Sequence, residues 1–219
     1  MRTSSAILVA CCFLAAGALA QGFKFSQPTP DEQADAAAQA NRQAVISIQL
    51  ATPCLDRIRN RKIMVLFAEE INGQVMSGQG GYSRHVDAVN RRLQAVGLKT
   101  YSPEEIRRQI AQEEIDAYFK NNPDRALSAA RRLAAQYVLR GVIATSAVAN
   151  PMIRLNQVSV NMNFTLTDSV GRAISTASAS NQSYAGSDVA GMALTLIDER
   201  ADEVVARLYG DYCRNADLR

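Results

Sequence analysis

The chain has 219 residues, 47% of them hydrophobic and 21% charged, enough to bury one good core or one core with a small appendage. With 24 basic residues, 21 acidic residues and a single histidine, its net charge of +3 gives no electrostatic footprint for nucleic acid.

Arg2 precedes the apolar stretch 6–18, and Ala18-Leu19-Ala20 forms a small-x-small cleavage site before Gln21. Residues 1–20 therefore read as a secretory signal peptide, and the chain as periplasmic or secreted. No later run of eighteen apolar residues exists, so no transmembrane segment is expected. Leu8-Val9-Ala10-Cys11 also matches a lipoprotein cleavage box that would place a lipid on Cys11, but it would leave a hydrophobic region only a few residues long. Removing the leader with Arg2 leaves 23 basic against 21 acidic residues, a net +2, and two cysteines, Cys54 and Cys213. In an oxidising compartment this pair invites a disulfide closing nearly the whole domain; the other reading is two buried thiols.

Residues 21–52 read as an N-terminal extension. Thr29-Pro30-Asp31-Glu32 supplies an N-cap, a proline at the first helical position and a glutamate three residues on, so a helix rich in Ala and Gln is predicted to about Ile48. Residues 53–213 read as a single α/β domain, with 214–219 as a tail. Its first strand is the continuous apolar run KIMVLFA, residues 62–68. Val86, Val89, Leu93 and Val96 recur at helical spacing before Gly97, and LKTYS predicts a short second strand. Ser102-Pro103-Glu104-Glu105 repeats the capping pattern, opening a helix that buries Ile106, Ile110, Ile115 and Tyr118 or Phe119. A third helix starts at Asn122-Pro123 and passes into a strand at 137–149, broken by Asn150-Pro151.

The clearest periodicity follows. Val158, Val160, Met162, Phe164 and Leu166 alternate with Ser159, Asn161, Asn163, Thr165 and Thr167, which predicts a strand with one core face and one polar face. Asp168-Ser169-Val170-Gly171 is a tight turn into a returning strand of small residues, and a last helix runs from Ser187 to about Tyr209. This order predicts a two-layer α/β sandwich, a mixed sheet of about five strands with helices packed mainly on one face.

Gly78, Gly80 and Gly81 before a helix could present backbone N–H groups to an anion, and His85 stands one turn into that helix. The loop lacks the phosphate-loop Lys-Ser/Thr and fits no dinucleotide spacing, so it reads first as a bend. No cofactor or metal is expected: the only histidine has no Asp/Glu/His cluster at ligand spacing, and no nucleophile elbow is present. Arg91-Arg92, Arg107-Arg108 and Arg131-Arg132 place a basic pair on each middle helix. The simple account is three solvated helix faces beside acidic partners; the sharper one is a shared basic surface for an anionic partner. The polar strand face Ser159, Asn161, Asn163 and Thr165, extended by Thr176, Ser178 and Ser180, is the other candidate surface, suited to docking a protein.

In this order KIMVLFA, RHVDAVNRRLQAVGLKTYS, ARRLAAQYVLRGVI and VSVNMNFTLTDSVGRAISTASAS with AGMALTLIDERADEVVARL resemble a family of secreted bacterial envelope modules. These share the fold of the TolB N-terminal domain and include the FlgT middle domain, CsgG and the outer-membrane activators of penicillin-binding proteins. Leu-x-Asp-x-x-Gly-Arg-x-Ile at 166–174 is the most specific part. The resemblance implies a non-catalytic module of a Gram-negative envelope that binds other envelope proteins of the flagellar ring, Tol or outer-membrane assembly, or that assembles into a homo-oligomeric ring. A lipidated mature N-terminal cysteine and long membrane-spanning hairpins, which pore-forming members carry, are not evident. The alternative is a periplasmic anion-binding or hydrolytic protein using the Gly78–His85 loop.

Overall fold

The computed structural model describes residues 28–54, 58, 61–71, 73–77, 84–120 and 123–215. The predicted signal peptide, Cys11, Gly78, Gly80, Gly81 and residues 216–219 lie outside them. The chain divides into two compact units, up to Ala38 and from Gln39. In the first, Thr29 and Glu32 form the capping box that their spacing predicts. The Thr29 N–H donates to Glu32 Oε2 at 2.7 Å and the Glu32 N–H to Thr29 Oγ1 at 3.3 Å. They open helix α1 (Pro30–Leu50), none of whose residues is buried.

The second unit holds strands β1 (Lys62–Ile71), β2 (Gln74–Met76), β3 (Lys99–Thr100), β4 (Tyr137–Asn150), β5 (Leu155–Asp168) and β6 (Ala173–Ala185). Its helices are α2 (Arg84–Ala95), α3 (Pro103–Gln109), α4 (Gln112–Phe119), α5 (Pro123–Arg132) and α6 (Val189–Asn215). The strands form one mixed sheet in the order β2-β1-β4-β5-β6, with β3 beside β1. β1 runs parallel to β3 and β4, and the remaining pairs are antiparallel. The α/β class and mixed sheet follow the expectation from sequence.

Period-two alternation sorts the core into two parts. Ile63, Val65 and Phe67 of β1, Leu139 of β4, and Val158, Val160, Met162, Phe164 and Leu166 of β5 face α2 and α6, joined by Leu93, Ile197, Val204 and Leu208. Met64, Leu66 and Ala68 point the other way, to Ile106, Ile115, Phe119 and Ala130 of α3–α5. β1 is thus buried on both faces, the physical reason its sequence is a continuous apolar run. Over β5 and β6 the arrangement is the predicted two layers; over β1 the second helical group adds a third.

Two predicted boundaries move. The helix expected from Pro103 to Phe119 is broken at Ile110, whose φ of −130° and ψ of 122° are extended, so that Ile106 and Ile115 reach the core from separate short helices and Ile110 from the link between them. The last helix runs to Asn215 rather than Tyr209 because Tyr212 and Cys213 are also buried. Cys213 is bonded to Cys54, with Cα atoms 5.2 Å apart across 159 residues. Near this bond Tyr209 Oη donates to the Thr52 carbonyl at 3.3 Å, and Arg214 donates to Gln49 Oε1 at 2.9 Å.

The specific motif at 166–174 closes the β5–β6 turn. Asp168 Oδ1 accepts from the N–H groups of Val170 at 3.1 Å and Arg172 at 2.9 Å, while Arg172 Nε lies 3.2 Å from Asp168 Oδ2. Gly171 has φ +90°, a conformation that a side chain disfavours.

Candidate interaction surface

The polar side chains of β5 share a sheet face with α3–α5, but those helices stop over β1 and β4. Asn161, Asn163, Thr176, Ser178 and Ser180 are exposed on this uncovered half, and Ser159 and Thr165 half-buried. Register places them in facing rows: Thr165 opposite Thr176, Asn163 opposite Ser178, Asn161 opposite Ser180, and Ser159 opposite Gln182. The predicted face of Ser159, Asn161, Asn163 and Thr165 is therefore brought together and extended by its neighbour strand. Its groups are neutral hydrogen-bond donors and acceptors.

A groove of about 400 Å³ crosses this face, lined by Asn161, Asn163, Ser178, Ala179 and Ser180 with Arg200 and Glu203. The last two belong to α6, which packs on the opposite face, so the groove wraps around β6. Among the described residues β6 pairs only with β5, and it presents a free edge there. Arg200 Nη1 lies 3.2 Å from Glu203 Oε2. The groove thus joins amides and hydroxyls to one ion pair, a set that can hydrogen-bond an extended polar segment. Arg200 and Glu203 were not singled out by the sequence reading, since on a helix of strong apolar periodicity they look like ordinary solvated positions.

The basic pairs stand on helices from both sides of the sheet. Arg91 and Arg92 stand on α2, on the face that α6 shares, while Arg107, Arg108, Arg131 and Arg132 stand on α3 and α5 on the other. Arg92 is a clamp between helices: it donates to Asp202 Oδ1 at 2.7 Å, Asp198 Oδ1 at 2.9 Å and the Ala88 carbonyl at 3.0 Å. Arg107 pairs with Glu104 at 2.9 Å and Arg132 with Glu114, as the simple account expects. Arg91, Arg108 and Arg131 are exposed. α2 and the α3–α5 group pack on opposite faces of β1.

His85 is half-buried, with Nδ1 3.2 Å from Glu69 Oε1. Leading into the glycines, Ser77 donates to Asp116 Oδ1 at 2.5 Å, and Gln112 donates to the Ser77 carbonyl and, at 2.7 Å, to the same carboxylate. The hydrogen bond from Ser77 and that from Gln112 hold Asp116 below the usual carboxylate range against the opposing effect of burial. A smaller recess of about 290 Å³ is lined by Lys62, Lys99, Tyr101, Ala134 and Gln136. Lys62 is already engaged there, 2.9 Å from Glu105 Oε1 and 4.7 Å from the centre of the Tyr101 ring. Among the described residues no cluster of three or more His, Cys, Asp or Glu could hold a metal, and no helix is long and apolar enough to cross a membrane.

No family model matches the chain, and no curated protein matches it in sequence. Solved structures do resemble it in arrangement. The PelC dodecamer from Paraburkholderia phytofirmans is 18% identical, with 68% of this chain and 89% of that one covered at a TM-score of 0.39. The LpoB C-terminal domain from Salmonella enterica is 15% identical over 65% and 96%, TM-score 0.38. A hypothetical protein from Chlamydia trachomatis is 14% identical over 71% and 99%, TM-score 0.49.

Proposed function

We propose that the protein is a non-catalytic cell-envelope module whose open β5–β6 face docks another envelope protein. The observation that carries this reading is the uncovered face itself: facing rows of Asn, Ser and Thr beside a free strand edge, with a groove that takes an extended polar segment. The export leader predicted from sequence and the Cys54–Cys213 bond support placement in an oxidising envelope compartment. Within that reading, the family resemblance directs the partner to flagellar-ring, Tol or outer-membrane assembly.

The test is capture from a detergent-solubilised envelope extract by the disulfide-bonded protein, compared with a variant carrying Asn163→Arg and Ser178→Arg. An envelope protein retained by the wild type and lost by the variant supports the reading. Equal recovery by both, or recovery of no envelope protein, overturns it.

A second reading, an anion-binding or hydrolytic site at Gly78–His85, has one observation in its favour: the Glu69 carboxylate lies where it would orient the His85 imidazole. Calorimetric binding of inorganic phosphate that is lost in His85→Gln would support it, and the absence of a binding heat for the wild type would remove it.

A further inference from the structure

β1 accompanies β4 only as far as the Ile71–Thr145 pair. Beyond it β4 and β5 continue together to Asn150 and Leu155, so their hairpin outruns the first strand. The far end is apolar and solvent-exposed: Val148 is 65% exposed, Met152 91%, Ile153 49% and Leu155 38%, with Tyr184 of β6 at 47%. Val148 and Tyr184 lie in one cross-strand row through Gln157, on the open face.

Exposed apolar side chains scattered singly need no account, but several gathered on one projecting turn do. Charge narrows the choice. Between Arg140 and Asp168 the single charged side chain is Arg154, at the turn beside Ile153. No acidic residue lies between Arg140 and Asp168 in the sequence, and Asp188, just beyond the end of β6, accepts from the Gly191 N–H at 2.8 Å. Behind the apolar tip stands a belt of neutral polar groups, with Asn150 Oδ1 accepting from the Met152 N–H at 3.0 Å and Asn156 Nδ2 donating to the Gly186 carbonyl at 2.9 Å. Backbone pairing continues to the last residues of both strands, so the tip could leave bulk water without stranding its ladder.

We propose that the tip of the β4–β5 hairpin, Val148 to Leu155, inserts into the headgroup region of an anionic lipid bilayer, with Arg154 on lipid phosphate. Consecutive exposed Met and Ile side chains on a projecting turn are a form that a bilayer interface accepts. A cation among apolar groups complements an anionic surface, and a tyrosine at the margin suits the interface. The tip does not span the membrane. This inference goes beyond the docking face, and because its test contains no protein partner, its failure leaves that reading untouched.

The test is flotation of the exported, disulfide-bonded protein with vesicles of phosphatidylglycerol and phosphatidylethanolamine, against phosphatidylcholine alone. The wild type should float with the anionic vesicles. Met152→Asp with Ile153→Asp should lower partitioning at least about tenfold, and Arg154→Gln about fivefold on anionic vesicles only. All replaced side chains are exposed, so circular dichroism should be unchanged. As a second measurement, the chain has no tryptophan, and Met152→Trp provides a single emitter whose fluorescence should shift to the blue with vesicles and be quenched by brominated lipid. A wild type that stays in the aqueous fraction, variants that float equally well, or a Met152→Trp emission unmoved by vesicles overturns the proposal. Capture of a protein by the tip without vesicle binding overturns it too, and reassigns the tip to a protein partner.

Discussion

Phe67 and Phe164 meet edge to face, ring centroids 5.8 Å apart, across the strand that separates them. The residue between them in register is Gly141 of β4. A Cβ there would lie 2.5 Å from Cε1 of Phe164 and 2.7 Å from Cδ1 of Phe67, both ring atoms of buried side chains. The two aromatic rings thus occupy the volume that any other residue at 141 would need. Gly141→Ala should destabilise the fold by about 1–3 kcal/mol through overpacking, although alanine has the better backbone entropy. Urea unfolding measures this, and a change within about 0.5 kcal/mol would show that the rings can move aside.

The Cys54–Cys213 bond ties the segment before β1 to the end of α6. On a chain-entropy estimate a loop of 159 residues gives up to about 5 kcal/mol, with strain and residual denatured structure lowering it. Cys54→Ser, Cys213→Ser and the double variant should lose the same several kcal/mol, because each removes the one bond. Denaturation with and without reductant checks this, and wild-type stability unaffected by reductant would contradict it.

Asp168 should be worth more than its place in a surface turn suggests. Its carboxylate accepts two backbone N–H groups and faces Arg172, and hydrogen bonds to a charged group contribute about 1.5–3 kcal/mol. Asp168→Ala should therefore destabilise by about 2–3 kcal/mol, while Ser169→Ala, in the same turn, should be near neutral. Equal effects of the two would sink the argument.

How much of this was legible before folding depends on residue chemistry. The strict alternation of Val158–Leu166 with polar partners announced both the core face and the open face of β5, and Asp168 with Gly171 announced the turn. β2 could not be read: its three residues, Gln74–Met76, are all exposed and carry no periodicity. The break at Ile110 was equally silent, since no Gly or Pro marks it and tertiary burial decides it. Arg200 and Glu203 joined the groove only because α6 flanks the edge strand β6, a relationship between elements distant in sequence. Similarly, the three basic pairs looked equivalent until β1 proved to be covered on both sides.

The start of α3 should respond to acid. The hydrogen bond from Lys62 and that from the Ser102 backbone hold Glu105 below the usual glutamate range, and Glu104 is lowered by a backbone hydrogen bond and by Ser102. A carboxylate depressed in the folded state contributes stability that is complete above its unfolded pKa and is lost as pH falls through the folded one. Glu105→Gln should thus lower Tm slightly at pH 7, and the difference from wild type should vanish below the ordinary glutamate range. A Tm difference that persists unchanged into acid would contradict this account of the cap.

The central claim is that the uncovered β5–β6 face receives an envelope protein. A photoreactive residue placed at Ser178, at Asn163, or on the opposite side at the exposed Arg207 of α6 tests it most directly, by irradiation in intact cells and mass spectrometry of the adducts. The account predicts an envelope-protein adduct from Ser178 and Asn163 and none from Arg207. Adducts from Arg207 alone would contradict it.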